Sequence, residues 1–288
     1  MTRRDALSFL FATVPAALLA GCGGSGSSPR ATIERRYIAL GDSYAYGYST
    51  RAGTPTGFGD IGYVRLFADA LKADNGGARP EVLNLAIPGE TTATYLRAGS
   101  GTPALPYNRN YTATNAPSQS ALLVQKTAEN SIPIGWVTAQ VGGDDLLNLL
   151  IDPVFLGASP VQRQSIIAVT LDTLRSNLRT ILTQVRNTAP QARVLVLGYP
   201  DPFAGLGAEN PLAGISTPLA EQVNSLISQA ANEASARYVD LFTPFLGQET
   251  MLTLITTQDP PDSGVPNFHP SPAGYGRIAE LLVAASRS

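Results

Sequence analysis

Strand-length apolar runs alternate with helical patterns along this chain, and that alternation most constrains how it can fold. The predicted strands cover 36–40, 81–86, 136–141, 193–197 and 238–241. Their apolar residues are nearly continuous, which is typical of parallel strands covered on both faces. The alternation therefore predicts an α/β fold, with a parallel sheet of about five strands between two layers of helices.

Amphipathic helices are predicted between the strands and after the last one. Their apolar stripes, at three- and four-residue steps, cover 167–185, 219–234 and 275–285. A proline stands where each helix is expected to begin: Pro160, Pro218 and Pro272. Proline is favoured in the first turn because the N–H groups there have no intrahelical partner. The polar segment 98–117 shows no periodic pattern, and loops of that length often have a function.

Residues 1–21 are predicted to be a signal peptide rather than part of the fold. A basic start with Arg3 and Arg4 precedes an apolar stretch from Ala6 to Ala20. That stretch is shorter than the roughly 20 residues that a membrane-spanning helix needs. The paired arginines also resemble a twin-arginine export signal, so the sequence leaves the export route open.

Cys22, the only cysteine, ends a Leu-Ala-Gly-Cys sequence that resembles a bacterial lipobox. The resemblance implies that the signal is cut before Cys22 and that the thiol carries a diacylglycerol. Glycine and serine dominate the residues that follow, so 22–35 is predicted to be a flexible tether. We therefore expect an exported protein of the cell envelope, anchored to a membrane through Cys22, with a single folded domain over 36–288.

Composition excludes several classes of function. Charged residues make up 15% of the chain and the net charge is −2, so no basic surface is available to bind nucleic acid. A single cysteine allows no disulfide within the chain, and a single histidine leaves no cluster with metal-ligand spacing. We expect no metal and no cofactor. No pattern indicates the oligomeric state.

Residues able to do chemistry follow the first three predicted strands. Ser43 comes just after the first strand, Gly89 lies in the turn after the second, and Asp144 follows the third. Ligands bind beyond the carboxyl ends of parallel strands, so these residues are expected to meet at one edge of the sheet. A serine hydroxyl needs a base to act as a nucleophile. His269, just before the last helix, is the only imidazole that could serve it.

Four short motifs resemble, in order, those of the GDSL or SGNH hydrolases. They are Gly41-Asp42-Ser43 with Gly47, Asn84 with Gly89 and Thr91-Thr92, Gly142-Gly143-Asp144-Asp145, and His269-Pro270 with Gly274-Tyr275. The resemblance spans 37–285, nearly the whole chain after the predicted tether. The resemblance implies a flavodoxin-like, three-layer α/β/α domain that hydrolyses carboxylic esters through an acyl-enzyme, without metal or cofactor.

The resemblance also implies a role for each matching residue. Ser43 would attack the acyl carbonyl, and His269 would take its proton. The backbone N–H groups of Ser43 and Gly89 would hold the oxyanion, where donors stabilise the charge that develops in the transition state. Asp42 is interpreted as a turn-former rather than a catalyst. The substrate stays open, because simple acyl esters, acetylated carbohydrates, phospholipids and thioesters all fit this chemistry.

The third motif departs from the family pattern at Asp144. The family has an asparagine there, and its amide donates to the oxyanion. An ionised carboxylate only accepts hydrogen bonds and would repel the oxyanion, whereas a protonated acid in an apolar site can donate. Three alternatives stay open: a protonated Asp144, an oxyanion hole of two backbone donors, or a donor from Asn148, one helical turn later.

The last motif departs from the pattern at the residue that orients the histidine. Family members usually place an aspartate three residues before it, where this chain has Pro266. The amide oxygen of Asn267 is the first candidate to accept from His269. The alternatives are Asp259, Asp262 and a backbone carbonyl. The sequence thus predicts a Ser-His dyad whose orienting residue is open, and a weak orienter lowers the rate without abolishing it.

Two other features have both a functional and a structural interpretation. Residues 57–62 match a dinucleotide-binding G-x-G-x-x-G pattern, but no strand precedes them, so a loop that enters a helix over Gly62–Ala73 is predicted instead. Tyr44, Tyr46 and Tyr48 could wall an acyl pocket or simply pack beside the sheet.

The main alternative to an enzyme is a non-catalytic, lipid-anchored binding module on the same scaffold. The altered third and fourth motifs support it, whereas the presence of both Ser43 and His269 argues against it. The expected partners are therefore a small-molecule, lipid or carbohydrate ester and, through the anchor, a membrane.

Overall fold

The computed structural model describes residues 34–48, 62–97, 118–207, 209–210, 212–259 and 262–288. Several predictions fall outside the described residues: the signal peptide, the lipobox at Cys22, the polar segment 98–117 and most of the G-x-G-x-x-G segment. The part of the chain from Ile33 to Ser288 forms one compact unit.

Five parallel strands form the sheet. They are β1 (Arg36–Gly41), β2 (Glu81–Asn84), β3 (Ile134–Gln140), β4 (Arg193–Leu197) and β5 (Arg237–Val239). Their order is β2-β1-β3-β4-β5, and every neighbouring pair is parallel. Each strand lies where the sequence predicts one. This flavodoxin-like order has its switch point between β1 and β3, where ligands are expected at the carboxyl ends.

Helices cover the sheet, which confirms the predicted three-layer α/β/α fold. They are α1 (Ser43–Tyr46), α2 (Tyr63–Ala70), α3 (Thr92–Leu96), α4 (Gln119–Ala128), α5 (Gly143–Ile151), α6 (Pro153–Gly157), α7 (Pro160–Thr188), α8 (Ala213–Glu233), α9 (Phe242–Phe245), α10 (Glu249–Leu252) and α11 (Pro272–Arg287). Two short 3-10 turns lie at Leu71–Asp74 and Pro202–Leu206. Among the longer helices, α2 packs against α11 and α7 packs against α8.

Capping side chains hold the starts of two of the predicted helices. Ser159 and Gln162 form a reciprocal capping box at the start of α7, and Ser271 accepts from the backbone N–H of Gly274 at the start of α11. Gly62 precedes α2, as expected for a loop that enters a helix there. Within the described residues, no helix is long and apolar enough to cross a membrane.

One predicted helix start was wrong. The sequence predicts that α8 begins at Thr217-Pro218, whereas it begins at Ala213 and has Pro218 inside it. The buried carboxylate of Asp201 accepts hydrogen bonds from the hydroxyls of Ser216 (2.8 Å) and Thr217 (2.6 Å). These bonds hold the first turn, although the proline cannot donate to the carbonyl four residues before it.

Gly41 closes β1 at the edge of the sheet where the site lies. Its φ is +138°, and a Cβ on it would lie 1.9 Å from the carbonyl oxygen of Gln140, at the end of β3. Only glycine allows this approach. The amide of Gln119 bonds both backbone groups of Gly41, accepting from its N–H (2.7 Å) and donating to its carbonyl (2.8 Å). Ser43 therefore starts from a backbone fixed by the ends of two strands.

Candidate active site

A cavity of about 340 Å³ lies at the carboxyl ends of β1 and β3. Ser43, Gly89, Asp144 and His269 all line it. The structure thus brings together the three residues that follow the first three strands and the histidine that precedes α11. Their positions are separated by up to 226 residues in the sequence (Ser43 to His269), so only the tertiary fold unites them.

Ser43 is the first residue of α1, and its neighbour Asp42 holds that turn in place. The carboxylate of Asp42 accepts from the backbone N–H of Tyr44 at 2.9 Å and also from the hydroxyl of Tyr199. This is the turn-forming role predicted for Asp42 from the sequence. The hydroxyl of Ser43 makes no hydrogen bond with another described residue, so it is free to turn toward a base.

Two backbone N–H groups beside the cavity are available to a ligand. Within the described part of the chain, neither Ser43 nor Gly89 donates its N–H to an acceptor. Gly89 lies in a turn closed by a hydrogen bond of 3.1 Å from Glu90 N to Ile87 O, and its φ is +81°. Proline in the second position and a positive φ in the third are typical of a type II turn. Free N–H groups next to a serine are what an oxyanion hole requires.

The imidazole of His269 is oriented by a side-chain amide. Its Nδ1 lies 2.8 Å from Oδ1 of Asn267, which also accepts from the backbone N–H of His269 at 3.1 Å. When Nδ1–H donates to this oxygen, Nε2 is left with the lone pair that a base needs. Burial lowers the pKa of His269 to about 4, so the imidazole is neutral at pH 7.

Among the alternative orienting groups, only Asp259 comes near. Its Oδ2 lies 3.6 Å from Nδ1 of His269, and its Oδ1 lies 3.5 Å from the hydroxyl of Tyr48. Asp262 is exposed and does not line the cavity. In the described residues, no backbone carbonyl accepts from the imidazole.

Comparison with known proteins decides the family. Residues 39–277 match the model of the GDSL-like lipase/acylhydrolase family. The chain belongs to this family. Among curated proteins, no sequence matches it significantly. The GDSL family assignment agrees with the four motifs and with the sheet order of the structure.

Solved structures with the same fold include three named hydrolases. Phospholipase A1 from Streptomyces albidoflavus has a TM-score of 0.55 and 23% identity, over 88% of this chain and 100% of that one. A lipase from a goat rumen metagenome has a TM-score of 0.59 and 18% identity, over 87% and 97% of the two chains. An acetylxylan esterase from Geobacillus stearothermophilus has a TM-score of 0.52 and 16% identity, over 88% and 95%. At these identities, the likeness shows a shared fold.

Asp144, where this GDSL-family chain departs from the motif, lies among other acids. Its Oδ2 is buried and has no hydrogen-bond partner in the described structure. Burial raises the pKa of Asp144 well above its usual range, and the nearby carboxyl groups of Asp42, Asp145 and Glu90 raise it further. A carboxyl group in this setting holds its proton more tightly than usual, and its protonated form can donate a hydrogen bond. Asn148 is exposed and does not line the cavity.

Asp145 joins two of the GDSL-family motifs. Its carboxylate accepts from the backbone N–H and from the hydroxyl of Thr92, both at 2.7 Å. Asn84 of the second motif donates to the carbonyl of Ala45 in α1 at 3.0 Å. Motif residues outside the proposed chemistry therefore fix the loops that surround the serine.

Part of the cavity lining is an apolar wall that was not predicted from the sequence. It consists of Leu146, Leu147, Pro200, Pro202, Phe203 and Phe268. The rings of Phe203 and Phe268 pack with their centroids 4.9 Å apart. Pro200 to Phe203 follow β4. Ligands bind beyond the carboxyl ends of parallel strands, so a search of the residues after the fourth strand, and not only after the first three, would have found them.

The three tyrosines after the serine divide between the two predicted roles. Tyr44 and Tyr48 line the cavity, and the ring of Tyr48 packs on His269 with centroids 4.5 Å apart. Tyr46 is buried and packs in the core. As for metals, the described residues contain no group of three or more His, Cys, Asp or Glu side chains that could hold an ion.

Proposed function

We propose that this protein is a serine esterase that hydrolyses carboxylic esters through an acyl-enzyme on Ser43. Oγ of Ser43 attacks the acyl carbonyl, and its proton passes to Nε2 of His269. The tetrahedral intermediate expels the alcohol, which takes that proton. Water then attacks the acyl-enzyme by the same route and releases the carboxylic acid and the free serine.

One observation carries this proposal: a single cavity presents a serine hydroxyl, an imidazole Nε2 and two backbone N–H groups that have no hydrogen-bond partner among the described residues. The N–H groups of Ser43 and Gly89 supply two donors to the oxyanion. We infer that protonated Asp144 supplies a third, in the place of the family's asparagine. Such donors act where charge develops and are each worth about 3 kcal/mol of the barrier.

The lining of the cavity favours a neutral ester with an apolar acyl group. The apolar wall offers contact to an alkyl or aryl chain, and each buried CH₂ contributes about 0.8 kcal/mol. No lysine or arginine of the described chain lines the cavity, whereas Asp42, Asp144, Asp201 and Asp259 do. An anionic acyl group would therefore meet no cationic side chain among the described lining residues. The similar structures are named for both phospholipid and acetylxylan substrates, and this wall favours the longer acyl chain.

A fluorophosphonate probe and a panel of p-nitrophenyl esters test the proposal. The probe should label the wild type on Ser43, and Ser43→Ala should abolish both labelling and hydrolysis. Ser165→Ala, on the exposed face of α7, is the matched control and should change neither. His269→Ala should lose most of the activity, and the double variant should be little worse than either single one, because the two residues act as one unit.

Two results would overturn the proposal. Wild-type protein that binds esters without labelling or turnover would indicate the non-catalytic binding module. Losses in Ser43→Ala and His269→Ala that add fully in the double variant would show that the two side chains do not work together.

We also propose that the protein is exported and anchored to a membrane of the cell envelope through a lipid on Cys22. The lipobox-like sequence and the glycine-serine tether support this proposal. Cys22→Ser should leave esterase activity intact and release the protein from the membrane fraction. Wild-type protein found in the soluble cytoplasmic fraction would contradict it.

A further inference from the structure

His269 belongs to one of two paired segments that lie just before α11. The segments 253–259 and 265–270 run antiparallel. Three backbone hydrogen bonds join them: Leu254 N to His269 O (2.8 Å), Asn267 N to Thr257 O (2.9 Å) and Asp259 N to Val265 O (2.9 Å). This pairing places Asp259, ten residues before His269 in the sequence, on the Nδ1 side of the imidazole.

Asp259 is a largely buried acid, and its nearest cationic partner among the described residues would be the His269 imidazolium. Its side chain is 14% exposed and that of His269 is 15% exposed. Within the described residues, Asp259 forms no ion pair with a lysine or arginine. Its remaining contact is the 3.5 Å approach of the Tyr48 hydroxyl. Burial raises the pKa of Asp259, because the charged carboxylate is poorly solvated there. A neighbouring imidazolium would stabilise that negative charge.

Two acceptors therefore face Nδ1 of His269, and they differ in charge. The amide oxygen of Asn267, at 2.8 Å, has hydrogen-bond distance, whereas Oδ2 of Asp259, at 3.6 Å, is beyond it. The amide can fix the ring and its tautomer but carries no net charge. The carboxylate is close enough to stabilise a positive imidazole through space.

We propose that Asp259 is a positioning residue of this site: it supplies the negative charge that stabilises the His269 imidazolium, while Asn267 sets the orientation of the ring. The inference rests on the proposed function. When the Ser43 proton passes to Nε2, Nδ1 keeps its own proton and the ring becomes cationic. The carboxylate then attracts Nδ1–H. Family members usually have an aspartate three residues before the histidine, where this chain has Pro266. Here an acid from the opposite segment takes over the stabilisation of the imidazolium.

Asp259→Asn tests this division of roles, because it removes the charge and keeps the size of the side chain. We expect kcat to fall about 10- to 100-fold, while KM stays within about twofold of wild type. This loss is smaller than the fall in kcat of about 10⁴-fold that follows when a triad aspartate is replaced by asparagine, because that change also gives the histidine the wrong tautomer. The pKa of His269 should fall as well. His269 is the only histidine, so its imidazole NMR signals identify themselves in a pH titration.

Relocating the carboxylate separates a charge effect from a structural one. In Asp259→Asn/Asn267→Asp, the acid and the amide exchange places, and kcat should return to within about tenfold of wild type. Asp259→Glu keeps the charge and should also keep most of the activity. Asp262→Asn, an exposed acid of the same region, is the matched control and should leave kcat and the pKa of His269 unchanged.

Wild-type kcat together with an unchanged His269 pKa in Asp259→Asn would overturn the inference. So would a loss of activity in Asp259→Asn that the exchange variant does not restore, because a structural role predicts that result. Ser43→Ala, measured alongside, keeps the two proposals apart. If Ser43→Ala is inactive and Asp259→Asn is fully active, only this inference fails; if Ser43→Ala is active, the proposed function fails.

Discussion

The hydroxyl of Tyr44 donates a hydrogen bond of 2.5 Å to the carbonyl oxygen of Phe268. The two residues stand next to the proposed nucleophile and base, because Tyr44 follows Ser43 and Phe268 precedes His269. The bond therefore joins the helix with the serine directly to the segment with the histidine. It limits how far apart the proposed nucleophile and base can move.

Tyr44→Phe should lower kcat more than it raises KM. The change removes the hydroxyl and leaves the buried ring, so the proposed Ser-His pair loses its direct tether. A neutral hydrogen bond contributes about 0.5–1.5 kcal/mol, which corresponds to a loss of roughly 2- to 12-fold. Steady-state kinetics on one neutral ester measure it. Tyr95→Phe is the control, because the buried Tyr95 hydroxyl has no hydrogen-bond partner within the described structure. Equal effects of the two variants would contradict a tethering role.

The acid limb of the pH profile should lie near pH 4. A base acts only when it is unprotonated, so activity rises with pH through the pKa of His269, which burial lowers to about 4. The profile of kcat/KM for the free enzyme measures this limb. The NMR titration of the single imidazole gives an independent value. An inflection at pH 6 or above would show that the imidazole is more solvated or more strongly paired than in this structure.

Asp144→Asn should flatten the alkaline side of the pH profile, so that kcat/KM falls less above neutral pH than it does in wild type. Where Asp144 keeps its proton, the amide and the acid both donate, so kcat/KM should there change by no more than about threefold. At higher pH the ionised carboxylate repels the oxyanion, whereas the amide still donates, so the variant should be the more active protein. Rates in the Ser43→Ala background correct for hydroxide-driven hydrolysis. A large loss of activity in folded Asp144→Asn would reveal a positive role for the carboxylate instead.

The same substitution should change how stability depends on pH. The folded-state pKa of Asp144 is raised, because burial and its acidic neighbours disfavour the charge. The contribution of such a group is complete below its unfolded pKa and is lost as pH rises through the folded pKa. Urea unfolding at neutral and alkaline pH should therefore show a smaller alkaline loss of stability in Asp144→Asn than in wild type. Identical pH dependence of the two proteins would count against a protonated Asp144.

Phe203→Ala should weaken the preference of the enzyme for esters with long acyl chains. The ring of Phe203 packs against Phe268 in the apolar wall, and removing such contact costs about 1.5–3 kcal/mol. We expect kcat/KM for an octanoyl ester to fall by roughly 10- to 100-fold, and that for an acetyl ester to fall much less. Val169→Ala, an exposed change on α7, is the control. A uniform loss over all chain lengths would indicate general disruption rather than an acyl-binding wall.

Local pattern was enough to predict the sheet and most of the helices. Burial on both faces requires continuous apolar runs, so all five strands could be located, and β4 has the predicted bounds. Proline was a less secure marker, because a helix start depends on side chains far away in the sequence. Asp201 holds the turn before Pro218, and no local pattern near that proline contains it.

The sequence by itself determined which residues could do chemistry: one serine after the first strand, one histidine and a glycine turn, in the order of a known family. Only the tertiary structure decided which groups surround them. The acyl wall and the contact of Asp259 with His269 arise where segments distant in sequence pack together. The charge state expected of Asp144 was likewise decided by the fold, because desolvation and the distance to other carboxyl groups are properties of packing, which residue identity alone does not determine.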